Sequence, residues 1–261
     1  MAKNWIDYIP SKGAGLDFIK LYAAVFMVVD HVNKVFLGMD LTLELLGRAV
    51  FPLFALVTAL HVRRGIDPKS YIETLLPLGM ISQLPFVLVF IHVLYQGEFS
   101  SMPLNVIFTL GIGGWIAAHL KERSLWIGYL AIGVAFVYWY FQPHLLFEYS
   151  ILGLMLPFAF VLLLEQKRGG LLISLLLLFL VNTEYTHWDN YFSQAKMYGI
   201  VLELSASIFV AILVGVVACV LMARMFEERG RFLPRYSLHI FYPAHLFVIW
   251  GLSFLEKVEL F

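Results

Sequence analysis

Along most of the chain the apolar positions run on in long, uniform blocks. They show neither the two-residue alternation of a half-buried strand nor the single apolar stripe of a surface helix. A helix needs about 20 mostly apolar residues to cross a bilayer. Blocks of that kind fall at 16–37, 43–61, 71–95, 103–120, 124–142, 147–164, 170–182, 199–223 and 236–255. The seventh, "LLISLLLLFLVN", is short, and tilted, re-entrant or extended forms reaching into "TEYTHW" are all open to it. The loops are mostly brief, and neither an internal repeat nor a low-complexity linker stands out. The pattern predicts an all-α fold, a polytopic transmembrane helix bundle of about nine spans forming a single integral membrane domain over 1–261.

Composition agrees. The chain is 61% hydrophobic and 14% charged, with mean hydropathy +0.83. A soluble domain is about half apolar and about a quarter charged. Formal net charge is zero, which gives no basic field for nucleic acid. The single cysteine, Cys219, excludes an internal disulfide and a cysteine-built metal site. The opening "MAKNWIDYIPSKGAG" does not read as a cleaved signal peptide. Of 18 basic residues, thirteen precede block 1 or follow blocks 2, 4, 6 and 8, and three fall on the opposite set of loops. Lys20 and Arg48 lie inside blocks. This asymmetry predicts a cytoplasmic N-terminus and a periplasmic C-terminus.

Against that background the buried polar residues need an account, because each costs free energy unless paired, solvated or used. Block 1 contains "FMVVDHVNKVF", with Asp30 beside His31, and Lys20 nearer the cytoplasmic end. Lys20 either snorkels to the headgroups or faces the interior. Asp30 and His31 point about 100° apart on a helix, so each needs a partner on another element. Arg48 in "LLGRAVFPLFAL" falls at a similar depth, so an Asp30–Arg48 ion pair is expected. Pro52, one turn deeper, frees a carbonyl upstream. Gln83 in "ISQLPF", and Asn105 with Thr109 in "PLNVIFTLGIGGW", are either interhelical glue or site residues. Gly111, Gly113 and Gly114 permit close helix approach. In "YSLHIFYPAHLFVIW", His239, Tyr242 and His245 share one stripe. The set His31, Arg48, Gln83, Asn105, Thr109, Tyr242 and His245 implies a polar cavity at the bundle centre. No metal-ligand spacing, nucleophile elbow or phosphate loop occurs.

"MVVDHVNKVF", "LLGRAVFPLFALV", "ISQLPF", "LNVIFTLGIGG" and "FYPAHL" follow one another in an order that resembles the TraX-like proteins of conjugative plasmids, with the TrbP proteins as close relatives. The matching blocks cover spans 1 to 4 and 9, a little under half of the chain. The resemblance implies an inner-membrane enzyme that matures the conjugative pilin, the TraX type being an N-terminal acetylase. It carries over Asp30, His31, Arg48, Pro52, Asn105, Tyr242 and His245. The first span is also similar to that of O-antigen-acetylase-type membrane acyltransferases, with a basic residue and a histidine separated by ten residues. Here these are Lys20 and His31, a lysine standing where those enzymes have arginine, without the bidentate fork.

These resemblances imply acetyl-CoA as co-substrate and the propilin subunit as protein partner, both meeting the chain in the lipid bilayer. Lys20 and loop arginines after spans 2 and 8 would hold the CoA phosphates. His31 would take the proton of the attacking amine. Asp30 with Arg48 would shape the site, and Asn105 and His245 would donate to the oxyanion. His239, Tyr242, Gln83 and Thr109 complete the expected binding set. Head-to-tail cyclisation of the pilin by the same polar core, needing no acetyl-CoA, is an alternative, as is a non-enzymatic pilin chaperone. A solute transporter would show paired broken helices and an inverted repeat, and neither is evident.

Overall fold

The computed structural model describes residues 9–91, 93, 94, 97, 102–121, 130, 133, 134, 137, 147–184 and 198–259, with backbone alone at 182–184, 198–205 and 257–259. The predicted span 124–142 lies outside the described residues apart from four positions. So do the N-terminal residues 1–8 and, among the loop charges, Lys3, Arg123 and Lys196.

The described chain is helical: α1 Gly13–Phe36, α2 Leu41–Gly47, α3 Val50–Arg63, α4 Pro68–Phe90, α5 Val106–Lys121, α6 Ser150–Leu164, α7 Gly170–Glu184, α8 Tyr198–Arg224 and α9 Ser237–Glu259. Four stretches are long and apolar enough to cross a membrane: Leu41–Arg63, Pro68–Phe90, Ala206–Arg224 and Ser237–Glu256. α5, α6 and the apolar part of α7 are shorter. α1 has the length, at 24 residues, but carries Asp17, Lys20, Asp30 and Lys34.

α3 is the central post. It packs against α1, α5, α6 and α8, and Phe51, Leu53, Ala55, Ala59 and Leu60 are all essentially inaccessible. The outer helices behave in the opposite way. α4 exposes Met80, Ile81 and Leu84, α8 exposes Val210, Val214, Val217 and Leu221, and α9 exposes Ile240, Val248 and Leu252. Apolar side chains turned outward on several helices mark a lipid-facing surface. The chain is an all-α membrane protein.

The second predicted span is broken. α2 ends at Gly47 and α3 begins at Val50, with turn geometry at Arg48 and Ala49. Pro52 has no N–H to offer the Arg48 carbonyl one turn back, so the ladder is interrupted there. Pro77, Pro85, Pro157 and Pro243 sit inside continuous helices. The fourth and sixth spans start later than the hydropathy suggests, because Leu104 and Phe147 pair as an isolated parallel bridge before α5 and α6 begin. The glycines of α5 permit close approach: a Cβ on Gly113 would sit 2.7 Å from the Leu154 carbonyl oxygen of α6. Lys121 closes the C-terminal end of α3 by donating to the carbonyls of Val62 (3.0 Å) and Arg63 (2.6 Å).

Candidate functional site

The polar side chains do not gather in one central cavity. They form a group at the N-terminal end of α1, a second towards its C-terminal end, where His31 also meets His245, and a separate Gln83–Asn105 pair.

At the N-terminal end of α1 lies a cavity of about 150 Å³ bounded by α1, α3, α4, α5, α9 and the segment 231–235. Lys20, His61, Arg231, Arg235 and His239 line it, with Asp17. Arg64 is close enough for its charge to be felt by Lys20 and to feel that of Arg231. Asp17 builds this rim. It is buried, its Oδ2 accepts the backbone N–H groups of Phe232 and Leu233, both at 3.1 Å, and Arg231 Nε stands 3.6 Å away. The Ala14 N–H to Arg229 carbonyl bond, 3.1 Å, ties down the same strap. Cations held around one concavity attract an anion. Asp17 Oδ1 and His239 Nδ1 are buried with no hydrogen-bond partner among the described residues. Of the predicted set, Lys20, His239 and Tyr242 line this cavity. His31, Arg48, Gln83, Asn105, Thr109 and His245 do not.

Most of the remaining lining of the cavity is apolar, and Met27, Phe241 and Tyr242 belong to it. Next to Phe241 and Tyr242, His31 of α1 and His245 of α9 meet, both buried, with His31 Nδ1 and His245 Nε2 3.0 Å apart. Met27 is one turn from His31 on the same helix. Phe241 stacks on His245 with centroids 5.1 Å apart, and Tyr242 meets it edge-on at 5.5 Å. The two imidazole planes lie within 10° and their centres are 5.1 Å apart. With the nitrogens at 3.0 Å, that is an edge-to-edge pair joined by one in-plane hydrogen bond, not two rings lying face to face.

At the far end of α1 the expected Asp30–Arg48 pair is replaced by two pairs within helices. Asp30 binds Lys34 at 2.6 Å, and Arg48 binds Glu44. Each has an opposite charge one turn away on its own helix, which is easier to meet than one across a gap. The two pairs still adjoin, because the Asp30 carboxylate rests on the Cα of Gly47. Asn33, buried and overlooked in the sequence, holds the turn into α2. Its amide donates to the Asp40 carbonyl (2.9 Å) and accepts from the Asp40 N–H (2.8 Å). Asp40 in turn caps α2 through Thr42 and Leu43.

Gln83 and Asn105 are structural partners. Asn105 Nδ2 gives its hydrogens to the Gly79 carbonyl and to Gln83 Oε1, both at 2.9 Å, while Oδ1 accepts the Ile107 N–H at 3.0 Å. Gln83 also donates to the Pro103 carbonyl. Asn105 therefore has no donor left for an oxyanion, and it serves as the cap of α5. Thr109 is buried, and its hydroxyl has no hydrogen-bond partner among the described residues. Glu148, also overlooked, is buried, its Oε2 has no hydrogen-bond partner among the described residues, and it accepts the Val106 N–H and lies within the fields of Lys34 and Asp30. Asp17, His61 and Tyr71 are further rim residues that sequence reasoning missed. The Asp17-to-Lys20 spacing on one helix face was the available signal for the first.

No solved structure matches the chain. Two curated proteins are similar, both called Protein TraX. One, from Escherichia coli, is 29% identical over 243 residues, which is 91% of this chain and 86% of its own length. The other, from Escherichia coli (strain K12), is 31% identical over 112 residues, 42% of each chain. The family model described as TraX protein matches residues 15–253, which span both the basic cavity and the histidine pair, and the chain belongs to the TraX family.

Proposed function

We propose that this protein is an inner-membrane acyltransferase that acetylates the N-terminal amine of a conjugative pilin, using acetyl-CoA from the cytoplasm. The observation that carries this reading is the cavity lined by Lys20, Arg231 and Arg235, two of whose apolar lining residues, Phe241 and Tyr242, pack on His245 of the His31–His245 pair. Lys20, Arg64 and Arg231 supply charge for the phosphates of the nucleotide. The apolar barrel formed by Phe54, Val57, Leu75, Leu78 and Leu110 accepts the thioester arm. Lys20 and His31 are eleven positions apart, about 16 Å along a helix, a separation that an extended pantetheine arm can bridge.

His31 does not itself line the cavity, so lining side chains packed on the pair, such as Phe241 and Tyr242, must shift for the thioester to reach it. The amine nitrogen attacks the thioester carbonyl, a C–N bond forms, and the C–S bond breaks. His31 takes the amine proton and CoA leaves as the thiolate. The pilin identity rests on TraX membership and on the motifs that it shares.

Purified protein in nanodiscs, given acetyl-CoA and a peptide of the mature pilin N-terminus, should yield a peptide heavier by one acetyl group. An unchanged peptide under conditions in which acetyl-CoA binds would sink the reading. A cognate pilin made in cells and lighter by one water would replace it with cyclisation.

A further inference from the structure

We propose that His245 is a positioning residue that fixes the tautomer of His31, so that Nε2 of His31 is the basic nitrogen of the pair. This rests on the acetyl-transfer reading for its use, but the tautomer follows from hydrogen bonds alone.

The argument starts at α9. His245 Nδ1 lies 3.1 Å from the Phe241 carbonyl oxygen. A carbonyl oxygen only accepts, so Nδ1 of His245 must carry a proton. In neutral imidazole the other nitrogen then has a lone pair, which makes His245 Nε2 an acceptor. The atom 3.0 Å from it is His31 Nδ1, which must therefore donate. His31 is thus protonated on Nδ1, and its lone pair sits on Nε2. The near-coplanar rings are aligned as this requires, because both the N–H and the lone pair lie in the ring plane. The chain of donors runs one way, from His31 through His245 to a backbone carbonyl that cannot change its role. Phe90, edge-on to His31 at 5.1 Å, and Phe241, stacked on His245, hold the rings in these orientations.

The consequence is a division of labour. When Nε2 of His31 takes the amine proton, the proton on Nδ1 is already shared with His245 Nε2. Its movement across spreads the positive charge onto a second ring, which the Phe241 carbonyl stabilises through Nδ1–H. Nothing is consumed: one proton enters at His31 Nε2, and the pair carries one positive charge until it leaves. A histidine in the other tautomer would present an N–H to the amine and could not accept its proton.

The test reads the tautomer directly. Full-length protein labelled with 15N-histidine is examined by NMR in nanodiscs, with His31→Gln and His245→Gln used to assign the two signals. The expected spectrum has protonated Nδ1 and pyridine-like Nε2 on both residues. A pyridine-like Nδ1 on His31 overturns the proposal. The second arm is kinetic. His245→Gln offers an amide oxygen to His31 Nδ1–H and should keep kcat within a few-fold of wild type. His245→Leu offers none and should lose roughly tenfold or more in kcat, with KM for acetyl-CoA unchanged. Equal losses in the two variants would overturn the positioning role. Wild-type protein that shows both tautomers but transfers no acetyl group would overturn the acetylation reading alone and leave the tautomer assignment standing.

Discussion

At the scale of single residues, Gly47 marks where α1 and α2 come closest, because a Cβ there would fall on the Asp30 carboxylate. Asp30 is held in that position by Lys34, so it cannot retreat without loosening its ion pair. Gly47→Ala should therefore destabilise the protein by about 1–3 kcal/mol, the usual cost of overpacking. Gly251 on α9 provides the contrast, since nothing lies within 4 Å of a Cβ built there. Gly251→Ala should be neutral or stabilising by about 0.4–1 kcal/mol, through reduced freedom of the unfolded chain. Thermal unfolding of both variants in one detergent decides the matter. Matching shifts would mean that helix propensity, not the contact with Asp30, governs both positions.

At the scale of elements, α1 carries two parts of the proposed site on one continuous helix. Lys20 lines the basic cavity, and His31, three turns on, makes the buried contact with α9. Substitutions at the two positions should then separate kinetically. Lys20→Gln should raise KM for acetyl-CoA roughly tenfold with kcat little changed, as expected for one lost charge-assisted contact to phosphate. His31→Gln should lower kcat by a factor on the order of 100 or more with KM nearly unchanged. Steady-state rates against acetyl-CoA concentration measure both, and a His31→Gln variant with wild-type kcat would remove His31 from the chemistry. How much of this element could be read beforehand follows from the physics of each residue. The length of α1 and the exceptional status of Lys20 and His31 were legible, because charge in an apolar run stands out by itself. The partner of Asp30 was not, since Lys34 and Arg48 are both basic and the choice depends on a few ångströms of packing. The break at Arg48 was half legible: Pro52 announced a freed carbonyl, but four other prolines in this chain leave their helices continuous. Asn105 and Gln83 illustrate the same limit. That Asn105 would be buried was foreseeable, whereas its mutual satisfaction with Gln83 depends on the residues just before α5, of which 103–105 were assigned to a helix by hydropathy.

At the scale of the whole molecule, the described helices turn apolar side chains outward along their sides, and the acetyl transfer proposed above requires the basic cavity to face the cytoplasm, where acetyl-CoA is found. The distribution of loop charge predicts that orientation. The decisive element is α9. It is apolar enough to cross, it exposes Ile240, Val248 and Leu252, and its N-terminal approach, 231–235, forms the cavity rim. A topology reporter inserted within "EERGRFLPR" and another fused after Phe261 therefore flank a single span, whatever the number of crossings elsewhere. The first should report the cytoplasm and the second the periplasm. If both report one side, α9 does not cross and the alternation built on loop charge fails. The reversed result, periplasm first and cytoplasm second, would be more damaging. It would turn Lys20, Arg64 and Arg231 away from cytoplasmic acetyl-CoA and leave the basic cavity with an anion of the outer face as its ligand.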